Sequence, residues 1–165
     1  MIDINRINKR VKKILFDNNW SADRFVEQIK YPINEFEFPD FVKKILNNFY
    51  GMEIQTEPTE IIDKDGSIVT YNNGIMEFYP EFAQGENQEG GVFKYYEKLL
   101  NKTFYPIGEI TDGPFYVVID DDLILYIMGD IIFKMGNDFN ESFEAIITCL
   151  KGKKLNEDTL EWENY

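Results

Sequence analysis

The sequence contains no histidine and a single cysteine, Cys149. Without histidine the chain cannot build a Ser-His-Asp or Cys-His catalytic group, and it lacks the commonest zinc ligand. One cysteine forms no internal disulfide and no thiolate cluster, so we interpret Cys149 as a half-buried, unreactive thiol. There is no glycine-rich phosphate-binding loop either. We therefore expect no metal and no cofactor.

An acidic loop at Asp63–Gly66 makes calcium an alternative, because it places two aspartates before a glycine. A complete calcium-binding loop needs more oxygen ligands and a glutamate at its twelfth position, which Tyr71–Gly74 does not supply. We interpret the segment instead as a hairpin turn between two strands.

Long apolar runs are also missing. No stretch approaches the roughly 18 consecutive apolar residues that a membrane-spanning helix needs. The first residues lack the apolar segment and the small-residue cleavage site of a secretory signal. At 165 residues, of which 44% are hydrophobic, the chain is large enough for one domain with a substantial core. These features predict a single cytoplasmic domain spanning residues 1–165.

Basic charge is scarce outside the N-terminal segment, and the formal net charge is −13. Residues 1–30 hold seven Lys or Arg against four Asp or Glu, whereas residues 31–165 hold ten against twenty-six. Such an acidic body repels nucleic acid and anionic membranes, so we expect neither as a partner. It attracts basic proteins and accelerates their association. The alternative is that the acidic charge serves only solubility.

The second half of the chain has strong strand character. Apolar runs rich in β-branched and aromatic residues are separated by short turns at Thr111–Pro114, Asp120–Asp122 and Gly129–Asp130. Turns this short connect only antiparallel neighbours, so we expect a four-stranded meander. Its apolar segment 123–128 is expected to be a central strand covered on both faces, and the alternative is an exposed apolar interface.

Apolar residues at helical spacing predict four helices. They cover residues 3–16 with Asp3 as the cap, a segment that starts at Pro39 or Asp40 and ends at Gly51, residues 92–100, and a closing helix. The closing helix is expected to be capped by Asn137 or Asp138 and to end at Gly152.

These elements predict an α+β fold, with a mixed or antiparallel sheet on which N-terminal helices and a closing C-terminal helix pack. Residues 1–50 are expected to be mainly helical, and residues 51–136 mainly strands with one helix. The closing helix occupies 137–152. Residues 153–165 form an acidic tail that is either frayed or packed.

Because histidine, cysteine clusters and a phosphate-binding loop are absent, carboxylates are the remaining candidates for catalytic groups. The densest acidic cluster is Asp120–Asp122, and Asp112 and Asp130 lie in the neighbouring turns. Catalytic carboxylate pairs need a pocket, whereas carboxylates adjacent along a chain point in different directions. These aspartates have three interpretations: they lie in solvated turns, they contact a partner, or they are catalytic. We do not expect the protein to be an enzyme.

Five segments carry a pattern that resembles one protein family. They are Asn19–Arg24, Phe41–Ile54, Tyr105–Gly108, Val118–Tyr126 and Phe139–Ala145 with Gly152. Together they resemble elements of the SUKH superfamily of bacterial immunity proteins, in its third subfamily. The first two segments resemble its Gly-Trp-x-Pro-Gly-Arg element and its Phe-Leu-x-Glu-Phe-Gly-Gly-Leu junction. The other three resemble its Tyr-Pro-Leu-Gly element, its Ile-Asp-x-x-Gly-x-Val-Tyr strand-turn-strand and its closing helix. Leu123 stands where that strand-turn-strand has its glycine. The resemblance covers nearly the whole chain.

The resemblance implies an α+β fold and a cytoplasmic protein that binds and neutralises a toxin domain, often a nuclease, encoded nearby. It implies no catalytic or metal-binding motif, and it assigns no contact residues, because these vary with the toxin. The acidic charge agrees with a basic partner, since nuclease surfaces bind phosphate. The alternative function is a regulatory or scaffold module of the same fold that binds a cellular partner.

For the contact surface we select acidic and aromatic residues outside the predicted helices. The predicted toxin-binding residues are Glu109, Asp112, Tyr116, Asp120, Asp121, Asp122 and Asp130. The carboxylates would face basic side chains of the toxin, and tyrosine is frequent among binding hot spots. For each of these residues the alternative is a solvated turn without a partner.

Overall fold

The computed structural model describes residues 6–27, 29–33, 36–62, 65–71, 74–111 and 115–164. The helices are α1 (Lys9–Asp17), α2 (Asp40–Phe49), α3 (Val92–Leu100) and α4 (Phe139–Ile147). The strands are β1 (Glu53–Gln55), β2 (Thr59–Ile62), β3 (Ile68–Tyr71), β4 (Ile75–Glu77), β5 (Phe104–Ile110), β6 (Phe115–Asp120), β7 (Leu125–Met128), β8 (Ile132–Lys134), β9 (Lys153–Asn156) and β10 (Glu161–Asn164). The predicted α+β fold class is confirmed.

The main sheet has eight antiparallel strands in the order β1-β4-β5-β6-β7-β8-β9-β10. Strands β5 to β8 pair consecutively, so the predicted four-stranded meander is confirmed. Strands β2 and β3 form a separate antiparallel pair. Of the turn predicted between them, Asp63 and Lys64 lie outside the described residues.

Helices cover both faces of the main sheet. Tyr116 pairs with Met128 across β6 and β7, and residues paired in this way share a face. Helix α3 lies on this face, because the ring centroids of Phe93 and Tyr116 are 5.7 Å apart. Ile127, next to Met128, points to the opposite face and lines a cavity with Ile146 of α4. The sheet therefore lies between α3 and the helices that include α4.

Aromatic packing joins α2 to α4. Helix α2 buries apolar residues on one side, namely Val42, Ile45, Leu46 and Phe49. The ring centroid of Phe49 lies 5.4 Å from that of Phe143 and 4.9 Å from that of Phe78. All three phenylalanines have no solvent exposure. This cluster fixes α2 and α4 against each other beneath the sheet.

The helix starts follow from side-chain caps. The side chain of Asp138 accepts a hydrogen bond from the backbone N–H of Glu141 at 2.9 Å, so the predicted start of α4 is confirmed. Helix α1 begins later than predicted. Asn8 accepts from the backbone N–H of Arg10 at 2.6 Å and caps a helix that starts at Lys9. Residues 6–8, which the prediction placed in this helix, are not helical, and the predicted cap Asp3 lies outside the described residues.

The end of α4 differs from the prediction. The helix ends at Ile147 rather than at Gly152, because Cys149 adopts a left-handed conformation with φ 52°. The N–H of Leu150 then bonds to the carbonyl of Ala145 at 2.9 Å, which closes the helix end. A cysteine thus takes the position that glycine usually occupies. The prediction relied on Gly152 and therefore placed the end of α4 too late.

The acidic tail is packed. Residues Lys153 to Asn164 form the hairpin β9–β10, which extends the main sheet beyond β8. The ring centroids of Trp162 and Tyr126 lie 5.7 Å apart. The Glu157 carboxylate accepts hydrogen bonds from the Tyr95 and Tyr96 hydroxyls. Of the two alternatives for this segment, the packed one is therefore correct.

Candidate functional site

The turn between β6 and β7 is organised around the carboxylate of Asp120. The Asp120 side chain is fully buried and accepts four hydrogen bonds. The donors are Lys102 Nζ at 2.5 Å, Tyr126 Oη at 2.8 Å, and the backbone N–H groups of Asp122 at 3.0 Å and Ile124 at 2.9 Å. The expectation that Asp120 lies on the surface is therefore wrong, because its carboxylate folds inward and holds the turn.

The two following aspartates face the solvent. Asp121 is exposed, and its carboxylate accepts from the Tyr105 hydroxyl at 3.2 Å. The Asp122 side chain is 72% exposed and forms an ion pair of 2.8 Å with Lys102, whose hydrogen bond lowers the pKa of Asp122. Both carboxylates are accessible to a partner. Of the three adjacent aspartates, one is therefore buried and two are exposed.

Asp130 lies at the other end of the meander from Asp121. Asp130 is exposed in the β7–β8 turn, and its backbone carbonyl accepts from the Tyr96 hydroxyl at 3.1 Å. Asp112 lies outside the described residues. Strand β6 separates this end from Asp121 by about 17 Å, given the rise of a β-strand. Those predicted contact residues that the structure describes therefore do not form one continuous patch.

Three glutamates stand in one row across the sheet. Glu53 pairs with Glu77, and Glu77 pairs with Glu109, so the three side chains share a face. Glu109 also pairs with Tyr116, whose hydroxyl donates to Glu86 at 3.2 Å. Burial and the neighbouring Glu77 raise the pKa of Glu109. Like charges directly opposite each other on a sheet are destabilising, so this row lowers the stability of the free protein.

Replacing Glu109 with glutamine is expected to raise the free energy of unfolding by up to about 1 kcal/mol at neutral pH. The pKa of Glu109 is higher in the folded protein, so the stability that protonated Glu109 contributes is lost as pH rises through that value. The gain should shrink at about pH 4, where glutamates protonate. Urea unfolding at both pH values measures the difference.

The control for this variant is Glu161→Gln. Glu161 is exposed on β10 and pairs with Asn156 rather than with another carboxylate. The control should therefore change stability by less than about 0.5 kcal/mol at either pH. Equal effects of the two variants would contradict the account of the glutamate row.

A groove adjoins the β6–β7 turn, and the sequence did not predict it. It has a volume of about 640 Å³ and lies between residues 20–25, α2, the β6–β7 turn and the start of α4. Phe25 and Leu123 line it and are exposed to solvent. The elements that form it are far apart in sequence, so only the tertiary structure brings them together.

Two of the motifs that carried the resemblance have structural roles. The Arg24 guanidinium donates to the backbone carbonyls of Asn48 and Tyr50, both at 2.7 Å, and satisfies the end of α2. At Gly108, a Cβ atom would lie 1.9 Å from the carbonyl oxygen of Glu77, so only glycine allows β4 and β5 to approach. Arg24 and Gly108 therefore maintain the fold.

Neither a metal centre nor a membrane span is found in the described part of the chain. No three Cys, Asp or Glu side chains of the described ranges are placed to hold a metal ion. The longest described helix, α2, has 10 residues, and none of the described helices could cross a bilayer.

The family model for SUKH-3 immunity proteins matches residues 7–149. This range includes α1 to α4 and β1 to β8, and it omits the β9–β10 hairpin. Comparison with curated proteins and with solved structures finds no match. The family match covers most of the chain and spans the motif segments from Asn19 to Ala145, but not Gly152. The chain belongs to the SUKH-3 immunity protein family.

Proposed function

We propose that this protein binds a basic toxin domain and that this domain is a nuclease. The protein neutralises the toxin in the cytoplasm by covering its active or substrate-binding surface. The observation that carries the proposal is membership of the immunity family. The net charge of −13 supports a basic partner, because a nuclease must attract phosphate and an acidic protein competes for that surface.

The proposed inhibition needs no catalysis by the immunity protein. A protein bound over a nuclease active site excludes the nucleic acid by volume and by charge. Opposite charges mainly speed the encounter, whereas a few desolvated side chains slow dissociation. Two sets of residues therefore have different roles. Exposed carboxylates accelerate association with the toxin, and apolar or aromatic residues slow its dissociation.

The described residues that we propose for the steering role are Asp121, Asp122, Asp130 and Glu109. The three aspartates are exposed, and Glu109 is half-buried in the glutamate row. Tyr116, half-buried beside Glu109, and Asp112 remain proposed contacts. Asp120 supports Asp121 and Asp122 from below and makes no direct contact in this proposal.

Co-expression with the toxin domain encoded beside this protein's gene tests the function. Cells that produce the toxin domain alone should die, and cells that also produce this protein should survive. The two proteins should co-purify as a complex. Death of cells that contain soluble, folded immunity protein would contradict the proposal and favour a regulatory or scaffold role.

Reversing Asp121 and Asp122 to lysine should slow association with the toxin domain by about tenfold at low salt. The double reversal removes two exposed carboxylates from one turn and leaves the buried Asp120 in place. Wild-type association should also slow as salt rises, since screening shortens the range of the field. Stopped-flow association at several salt concentrations measures both effects.

The matched control reverses Glu161 and Glu163 on β10. Both are exposed, and their reversal changes the net charge by the same amount. A smaller effect of the control pair would assign the steering to the β6–β7 turn. Equal slowing by both pairs would instead mean that only the overall charge matters, and an association rate that ignores salt would contradict electrostatic steering altogether.

A further inference from the structure

Leu123 adopts a conformation that leucine normally avoids. Its φ is 63°, in the left-handed region where a side chain crowds the backbone and glycine is preferred. The β6–β7 turn does not need the leucine side chain, because the Asp120 carboxylate and a backbone bond from Leu123 N–H to the Asp120 carbonyl hold it. The side chain is 37% exposed. A strained, exposed apolar residue is therefore retained where glycine would relax the backbone.

The Leu123 side chain forms part of the groove beside the turn. Phe25, which is 61% exposed, also lines the groove, together with Phe41 and Ile45 of α2. Exposed apolar residues around a concave surface with charged residues at its edge are typical of protein-binding sites. The groove volume of about 640 Å³ is ample for one or two large side chains.

Two buried polar groups of the groove residues lack hydrogen-bond partners among the described residues. They are the indole N–H of Trp20 and the side-chain oxygen of Asn140. Trp20 is 5% exposed, with its ring stacked on Phe49 at 6.0 Å. An unpaired buried donor or acceptor is unfavourable. Both atoms are buried, so these two groups lower the stability of the free protein.

We propose that this groove receives an apolar side chain from a loop of the toxin domain, with a basic residue of the same loop beside Asp121 and Asp122. The inference rests on the proposed function and assigns the anchoring contact within it. The groove is lined by basic as well as acidic residues, and the exposed carboxylates of Asp121 and Asp122 favour a basic partner residue beside the turn that presents Leu123. A second copy of this acidic chain would bring like charges together at the same turn.

The test compares two leucines in the same backbone conformation. Leu123→Gly should weaken binding of the co-encoded toxin domain by about tenfold or more, chiefly through faster dissociation. Leu160→Gly is the control. Leu160 lies in the β9–β10 turn with φ 58° and is 48% exposed, so glycine relaxes both sites and removes the same side chain. Leu160→Gly should bind as the wild type does.

Thermal unfolding of the two variants guards against a folding effect. Because glycine suits the left-handed conformation, neither variant should melt below the wild type. Weaker binding by Leu123→Gly with an unchanged melting temperature supports a contact at the groove. Wild-type affinity of Leu123→Gly would overturn the proposal.

Fluorine NMR gives a direct second readout. The chain has two tryptophans, so labelling with 5-fluorotryptophan yields two resonances, and Trp162→Phe assigns them. Adding the unlabelled toxin domain should shift the Trp20 resonance and leave that of Trp162, on the β9–β10 hairpin, nearly unchanged. A shift of Trp162 alone would place the toxin on the β9–β10 hairpin and overturn the groove.

The outcomes separate this inference from the proposed function. If the wild-type protein forms no complex with the toxin domain and gives no protection, the proposed function fails and the groove proposal falls with it. If the wild type protects, and Leu123→Gly binds equally well with an unmoved Trp20 resonance, the function stands and only the groove proposal fails.

Discussion

Replacing Asp120 with alanine is expected to lower the free energy of unfolding by about 3–5 kcal/mol. The Asp120 carboxylate is fully buried and serves the Tyr126 hydroxyl, two backbone N–H groups and Lys102. Alanine would leave the Tyr126 hydroxyl and the Ile124 N–H buried without this acceptor, and each loss costs about 1–3 kcal/mol. Lys102 is 31% exposed and can regain water, so it contributes less.

Urea unfolding would measure this loss as a lower midpoint with an unchanged slope. Asp120→Asn is the informative control, because it keeps one oxygen for the backbone N–H groups and removes the charge that faces Lys102. We expect it to lose less than Asp120→Ala. A loss below about 1 kcal/mol for Asp120→Ala would mean that the turn forms without its central acceptor.

The same variant has a functional consequence. Asp120 fixes the turn that carries Asp121, Asp122 and Leu123, although it does not reach the surface itself. Any remaining folded Asp120→Ala protein should therefore bind the toxin domain more weakly than the wild type. The residue would act on binding through the position of its neighbours.

The burial of Asp120 illustrates why the site could be predicted only in part. Three adjacent aspartates in a short turn resemble a solvated loop, and local rules give no reason to separate one from the others. The difference comes from Lys102 and Tyr126, which approach from the end of the α3 segment and from β7. Such convergence depends on tertiary packing, which periodicity does not report.

The fold was more accessible to prediction than the site. The meander followed from short turns between apolar runs, because such turns permit only antiparallel neighbours. The start of α4 followed from the capping residue Asp138. Its end did not, since Cys149 replaces the expected glycine in the left-handed position. The glutamate row was also hidden, because it depends on the pairing of β1 with β4 and of β4 with β5.

The division between fold and surface has a physical basis. Arg24 and Gly108, which belong to the family motifs, are committed to a helix end and to a close strand contact. Asp121 and Asp122 at the β6–β7 turn are exposed and are not committed to such packing contacts.

The second large loss is expected for Phe143→Ala, at about 3–5 kcal/mol. Phe143 has no solvent exposure, and its ring lies 5.4 Å from Phe49 and 5.6 Å from Phe139 between ring centroids. Alanine would remove the apolar transfer energy and leave a cavity between α2 and α4, which rigid neighbouring rings can fill only partly. Urea unfolding again provides the measurement.

The matched control is Phe82→Ala, which removes the same ring from a position that is 42% exposed and should cost less than about 1 kcal/mol. Because α2 and α4 frame the groove, Phe143→Ala tests more than stability. Excess toxin domain should restore much of its melting temperature, since a partner that binds only the folded state stabilises it. A loss as small as that of Phe82→Ala would mean that α4 is not anchored by Phe143, and the walls of the groove would then need another explanation.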